Sequence, residues 1–307
     1  MKAIRVAQYG QPEGLTFEQM PSPVPGKNEV LIEVAASGVN PVDWKVLSGA
    51  MKAFIPLQLP YTPGVEVAGR VAALGEGVTA FSVGDEVFGF INIVGGYATE
   101  AVASVDRLAR RPSRLPALQA GGVPAVALTA WQALHEHARI RPGQRVLIHA
   151  AAGGVGSLAV QMARIAGATV IATASARNHE YLRKLGAAEV IDYNQVRFET
   201  VVDPVDVVLD LVGGDTQARS WAVLKPGGVL VSPVSPPDAG NAQVAGALGK
   251  HFATRSDGAQ LEHIAALFES GELEIEVQVL PLSQAEEALR RSLSGHTRGK
   301  WVLDASR

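Results

Sequence analysis

The segment His149-Ala150-Ala151-Ala152-Gly153-Gly154-Val155-Gly156-Ser157 constrains this chain more than any other. It follows Arg145–Ala150 (RVLIHA), a short and nearly all-apolar run of the kind that forms a strand buried on both faces. It leads into Ser157–Ala166, which has one apolar helical face. Strand, glycine turn and helix in that order are the context a dinucleotide fingerprint requires. Read against G-x-G-x-x-G, the segment is Ala151-x-Gly153-x-x-Gly156, with alanine first. Gly153 and Gly154 let backbone approach a pyrophosphate, and Gly156 lets the helix pack close to the sheet. The helix N–H groups and its positive end then hold phosphate. In isolation the same turn can serve as a plain strand–helix corner, so its surroundings decide.

Those surroundings alternate. Thr169–Ala174, Glu189–Tyr193, Asp206–Leu211 and Gly228–Pro233 have strand patterns, and Gln119–His137 and Asn178–Leu185 have helical ones. This alternation predicts a doubly wound parallel sheet of Rossmann type over 119–256. Residues 1–118 differ: short β-type runs at Glu29–Ala36, Val65–Leu74 and Asp85–Phe90 are broken by glycine and proline. Residues 257–307 carry a helix at Gln260–Glu269, strands at Val277–Leu280 and Lys300–Asp304, and a helix at Gln284–Leu293. This tail is expected to return to the first domain, so that the nucleotide domain is an insertion.

With 47% hydrophobic and 19% charged residues the chain has material for a large core, which excludes a disordered protein. A net charge of −3 offers no basic stripe for nucleic acid or anionic membrane. The absence of cysteine rules out disulfides and thiolate-bound metals. It fits a reducing, cytoplasmic setting. Neither a secretory signal nor an apolar run of about 20 residues is present, so a soluble protein is expected.

An NAD site places Asp or Glu after the second strand to bind the ribose 2′-hydroxyl. Here that stretch is Thr173-Ala174-Ser175-Ala176-Arg177-Asn178, with a hydroxyl and an arginine but no carboxylate. Ser175 and Arg177 would accept a 2′-phosphate, which favours NADPH. Arg177 could also be a solvated residue at a helix start.

Along nearly its whole length the chain resembles the zinc-free quinone oxidoreductase and enone reductase branch of the medium-chain dehydrogenase/reductase superfamily. The resemblance rests on Ser37–Lys45 (SGVNPVDWK), Pro63–Gly69 (PGVEVAG), Gly84–Val87, Ala152–Gly156, Leu185–Ala187, Val190–Tyr193, Lys225–Gly228 and Gly295–Leu303, in that order. It implies a GroES-like β-barrel catalytic domain around the inserted Rossmann domain, with the active site in the cleft between them. It also implies a homodimer formed edge to edge through a strand near His251–Arg255. Zinc-dependent relatives carry cysteine where Asn40 stands and histidine where Val65 stands, so no metal site is expected.

By the same resemblance Asn40 and Thr129 lie near the nicotinamide ribose or carboxamide, and Val212 and Pro233 belong to loops covering the nicotinamide. Tyr193 joins Ser175 and Arg177 around the 2′-phosphate. Hydride attack on a conjugated carbonyl develops an oxyanion that needs a donor. Lys45 is the candidate, since several enone reductases carry lysine where many quinone reductases carry tyrosine. Asp43 is either a salt-bridge partner of Lys45 or a helix cap, and Tyr61 and Tyr97 are further possible donors. His135-Glu136-His137 lacks the i, i+4 spacing of a zinc-binding helix. The leading expectation is NADPH-dependent reduction of an α,β-unsaturated ketone or aldehyde. The alternatives are a quinone reductase and, from another class, a non-catalytic NADPH-binding sensor or structural protein.

Overall fold

The computed structural model describes residues 1–306. The chain divides into two compact units. The first comprises Met1–Ala125, Ser256–Gly271 and the residues from Ile275 on, and the second Val126–Arg255 with Glu272–Glu274.

The first unit opens with an antiparallel pair, β1 (Lys2–Val6) and β2 (Leu15–Gln19). Its main sheet has seven strands. Six run in the order β14-β15-β3-β4-β5-β7, and β6 also pairs with β3. They are β3 (Glu29–Gly38), β4 (Glu66–Leu74), β5 (Glu86–Phe90), β6 (Glu100–Ser104), β7 (Leu108–Arg110), β14 (Val277–Pro281) and β15 (Lys300–Asp304). In β3 Val30, Ile32, Val34 and Ala36 are buried while Glu33 between them is exposed, the two-residue period of a strand with one face in a core. Val30, Ile32 and Val34 join Val67, Val71, Phe81 and Leu303 in one apolar cluster. Helix α1 (Pro41–Leu47) follows β3, and α9 (Ala285–Leu293) precedes β15. Helix α8 (Gly258–Ser270) begins at Asp257, whose carboxylate accepts the Gln260 N–H at 3.0 Å.

The first change of unit falls at residue 125, later than the change of composition near 118. Helical composition does begin there, as α2 (Ala117–Ala120). Gly121, however, lies so close to the β3 backbone that a Cβ would stand 2.6 Å from the Ala36 Cβ, which holds α2 in the first unit. The continuous helix expected over Gln119–His137 is therefore broken at Gly121-Gly122. It resumes as α3 (Pro124–Trp131) and continues as a π-helical segment, Gln132–Ala138.

The second unit holds a six-stranded parallel sheet, β10-β9-β8-β11-β12-β13. The strands are β8 (Arg145–Ile148), β9 (Thr169–Ala174), β10 (Glu189–Asp192), β11 (Val205–Leu209), β12 (Leu224–Ser232) and β13 (Leu248–His251). Helices α4 (Gly154–Ile165), α5 (His179–Leu185), α6 (Gly214–Ser220) and α7 (Ala239–Ala245) connect them. Leu147, Ile171, Val208 and Leu230 are fully buried, as central parallel strands covered on both faces require. The edge strand lies at 248–251 rather than at His251–Arg255. Residues 254 and 255 are instead fastened to α3 and its π-helical continuation. The Thr129 and Thr254 hydroxyls are 2.7 Å apart, Gln132 bonds both backbone groups of Arg255, and Arg255 makes a bidentate pair with Glu136. That anchoring turns the chain out of the sheet. No helix among the described residues is long and apolar enough to cross a membrane.

Candidate functional site

In the second unit β8 stops at Ile148, and Ala150 turns the chain with a left-handed φ of 48°. Gly153 caps α4, so Gly154, Val155 and Gly156 form the first helical turn rather than a loop ahead of it. Their N–H groups have no carbonyl of the same helix to bond. A Cβ on Gly156 would stand 2.5 Å from the Ala150 carbonyl oxygen, so only glycine lets α4 approach the strand end this closely. This twelve-residue helix aims its positive end at the turn, and the cradle fits a dinucleotide pyrophosphate. Ala152 is buried beside it. Ser157 is also buried and donates to the Gly154 carbonyl at 3.2 Å, which leaves it no role as a nucleophile.

Beneath the turn lies His149, which is 1% exposed. Its Nε2 is 2.9 Å from Ser220 Oγ, and that hydroxyl donates to the Thr216 carbonyl at 2.7 Å. Ser220 therefore accepts from Nε2–H, and Nδ1 accepts from the Thr173 hydroxyl at 3.0 Å. Burial lowers the imidazole to about 4, so it is neutral at physiological pH. It is a structural histidine tying β8, β9 and α6 together.

At the C-terminal end of β9, Ser175 is half-buried and accepts from Asn178 Nδ2 at 3.3 Å. Arg177 is exposed in a short 3-10 turn, Ala176–Asn178, that precedes α5. The register pairs Asp192 with Ala174, so Tyr193, half exposed, follows β10 beside Ser175. The Asp192 carboxylate turns back onto Asn194, accepting its N–H and Nδ2 at 3.0 Å each. The structure thus brings Ser175, Arg177 and Tyr193 to neighbouring strand ends.

Val212 and Pro233 lie in the turns after β11 and β12. Polar side chains at the strand ends shape those turns. Buried Asp210 accepts the Val212 N–H at 3.0 Å and the Gly213 N–H at 2.8 Å, while Ser232 Oγ accepts from the Val234 and Ser235 N–H groups at 3.2 and 3.3 Å. A carboxylate directly after the apolar run Val207–Leu209 is the sequence signal for Asp210. The two histidines of 135–137 are held apart in aromatic contacts, His135 against Trp131 and His137 against Phe252.

In the first unit Asn40 caps α1, its backbone carbonyl accepting the Asp43 N–H at 3.0 Å while the Asp43 carboxylate reaches back to the Asn40 N–H. Asp43 Oδ2 accepts the Asn40 N–H at 2.7 Å and the Tyr97 hydroxyl at 2.7 Å. Asp43 is therefore a cap, not the partner of Lys45. Residues two apart on a helix face different sides, and Lys45 instead carries its ammonium over the Trp44 ring, 5.6 Å from its centre. Burial pushes the Asp43 carboxyl up to about 7, against the Asn40 N–H, Tyr97 and Lys300, which lower it. Its Oδ1 has no hydrogen-bond partner among the described residues. Burial, the nearby Asp43 charge and the hydrogen bond to Asp43 hold the Tyr97 phenol well above its usual range. Burial raises Tyr61 as well, followed by Tyr9 and Asp43.

The Asn40 side chain is fully committed. Its Nδ2 donates to Glu66 Oε1 at 2.7 Å, and its Oδ1 accepts from Lys300. Lys300 also pairs with Glu66 at 3.1 Å, and Glu66 Oε2 accepts the Ala125 N–H at 2.7 Å. A zinc ion does not fit this donor set: an amide and Val65 stand at the positions where zinc-dependent relatives carry cysteine and histidine, and the positive charge beside Asn40 belongs to Lys300. Glu66 and Lys300 were not singled out from sequence, where their only signal is a charge at the start of an apolar strand.

Comparison with known proteins agrees with this architecture. Residues 26–113 match the family described as alcohol dehydrogenase GroES-like domain, and residues 185–303 match zinc-binding dehydrogenase. Quinone-oxidoreductase QR1, chloroplastic, of Triphysaria versicolor is 33% identical, with 99% of each chain covered. The Escherichia coli quinone oxidoreductase complexed with NADPH superposes with a TM-score of 0.91 at 28% identity, covering 99% of this chain and 100% of that one. The CurK enoyl reductase superposes with a TM-score of 0.90 at 30% identity, covering 99% and 98%. The fold, the nicotinamide-type cofactor cradle and these relatives make the protein an oxidoreductase. The chain belongs to the zinc-free quinone oxidoreductase branch of the medium-chain dehydrogenase/reductase superfamily.

Proposed function

We propose that the protein is an NADPH-dependent reductase that transfers hydride, without a metal, to a conjugated carbonyl, specifically an α,β-unsaturated ketone or aldehyde. The observation that carries the NADPH preference is the end of β9, where Ser175, Arg177 and Tyr193 gather and no carboxylate follows the strand. A carboxylate there would repel a 2′-phosphate, whereas a hydroxyl and a guanidinium bind one. Bound NADPH supplies the hydride. Ala152–Gly156 hold the pyrophosphate, and Thr129 and the turns bearing Val212 and Pro233 hold the nicotinamide half. Lys45 is the cation assigned to the substrate oxygen as it gains charge, and Asn40 and Asp43 position the helix that carries it.

Quinones are the second reading, favoured by the names of the quinone oxidoreductase relatives; the CurK neighbour, an enoyl reductase, favours the first. A homodimer joined along β13, whose outer edge is unpaired among the described residues, and a cytoplasmic setting complete the proposal.

The test uses NADPH deuterated on the transferred face and a simple enone. Deuterium at the β-carbon supports conjugate hydride transfer. Unlabelled enone with quinones still consuming NADPH moves the assignment to quinone reduction, and no turnover of either moves it to a non-catalytic binding role. Arg177→Ala should weaken NADPH about tenfold while sparing NADH, and equal weakening removes Arg177 from the 2′-phosphate site.

A further inference from the structure

Two turns of the second unit stand at the C-terminal ends of neighbouring parallel strands. One follows β11 and is shaped by Asp210, and the other follows β12 and is shaped by Ser232. A third side chain joins them. Gln217 projects from α6 and is 7% exposed. Its Nε2 lies 2.9 Å from Asp210 Oδ2, 3.1 Å from the Ser235 carbonyl oxygen and 3.2 Å from Ser235 Oγ. An amide nitrogen has two hydrogens, so one serves Asp210 and the other is shared by the two Ser235 oxygens. The turns also touch directly. A Cβ on Gly213, where φ is +79°, would stand 3.2 Å from Ser235 Oγ and 3.3 Å from Val234 Cγ1.

The sheet order gives this junction its meaning. From β8 the chain builds outward through β9 and β10 on one side, and through β11, β12 and β13 on the other. The boundary between β8 and β11 is the topological switch point, outside whose strand ends a dinucleotide lies. With the pyrophosphate on α4 after β8, and the 2′-phosphate end beside β9, the other half of the cofactor must extend over β11 and β12. The two turns joined by Gln217 stand there.

We infer that Gln217 is a positioning residue that locks the 210–213 and 232–235 turns into one frame against the nicotinamide half of the cofactor. The inference rests on the proposed NADPH reading. Hydride transfer requires the ring to be held at a fixed angle and depth, and two turns moving independently could not hold it. Gln217 acts through those turns and need not touch the cofactor.

The test separates the two halves of the cofactor. The affinities of 2′,5′-ADP, which occupies only the adenosine side, and of NADPH are measured by calorimetry for the parent and for Gln217→Leu, together with kcat on a reducible enone or quinone. Leucine keeps the volume and removes both donors. The expected result is NADPH affinity and kcat each reduced about tenfold, with 2′,5′-ADP affinity within about twofold of the parent. NADPH affinity within about twofold of the parent overturns the inference, and so does equal loss of both ligands, which would mean general damage to the unit. Should Gln217→Leu fail to fold, Gly213→Ala pushes on the same two turns from the opposite side, and the same selective loss is expected of it. A parent that binds neither ligand breaks the cofactor reading itself. A parent that binds NADH but not NADPH breaks only the 2′-phosphate part, and the comparison is then run with NADH and ADP.

Discussion

The two units bury polar groups in opposite ways. In the first, Glu66 and Lys300, at 0% and 4% exposure, form an ion pair bridged by Asn40, and Asp43 sits nearby with one oxygen unbonded. In the second, the buried chain Thr173–His149–Ser220 is neutral, and the one deeply buried carboxylate, Asp210, spends its oxygens on N–H groups. A buried ion pair fails all at once when one partner goes, because the other is left as a charge without water. A neutral network loses one hydrogen bond at a time. The first unit is thus intolerant of single changes at its cluster, and the second should degrade gradually.

The sharpest way to break this contrast is Lys300→Met. It strands Glu66 and should cost about 3–5 kcal/mol in urea unfolding, while adding Glu66→Gln should recover most of that loss. A double variant no better than the single one would show that the pair is not coupled as its geometry requires.

A smaller effect, on the order of a few kcal/mol, concerns pH and has opposite sign in the two units. Asp43 is raised from 3.8 to about 7, so the fold binds its proton more tightly than the unfolded chain does; its contribution is complete below 3.8 and is lost as pH rises through 7. His149 is lowered from 6.5 to about 4, so its contribution is complete above 6.5 and is lost as pH falls through 4. Between about 4 and 6.5 the two slopes oppose each other. Asp43→Asn should therefore unmask stability that rises with pH, and His149→Gln stability that falls with it, both read from unfolding midpoints across that window. Parallel slopes in the two variants would remove the distinction.

The smallest expected effect is that of Thr173→Val, which takes the donor from His149 Nδ1 without changing shape. It should cost about 1–2 kcal/mol. A loss as large as that of Lys300→Met would mean that the neutral network is no more forgiving than the charged one.

What the sequence disclosed follows the range of the interactions. Strand β9 is β-branched throughout but for its alanines and carries no charge, and β15 is bounded by turns, so Thr169–Ala174 and Lys300–Asp304 were legible to the residue. The glycine turn was legible because Gly156 answers a purely local demand. The hairpin of β1 and β2 was missed, since Leu15–Gln19 is largely exposed and has no clean alternation. The break at Gly121 was missed because its cause is Ala36, far away in the chain. Sequence alone leaves Asp43 between cap and salt bridge, because one of its carboxylate's two partners, the Tyr97 hydroxyl, is distant in the chain and only the other, the Asn40 N–H, is local. Glu66 with Lys300, and Gln217 with Ser235, are pairings between segments whose local patterns carry no trace of each other.

The span between Asn40 and Lys300, 260 residues, also has a consequence in time. At roughly 5–20 residues per second, a ribosome releases Lys300 tens of seconds after Asn40 and Glu66. The nucleotide-binding unit, nearly all of it one stretch of chain, has its sheet complete within that interval. The barrel strands must wait, with Glu66 still hydrated, because its counter-ion arrives only with β15. Strand β15 is thus the segment that allows the first domain to dry, and a chain cut short before it would carry a finished nucleotide domain and an unfinished barrel.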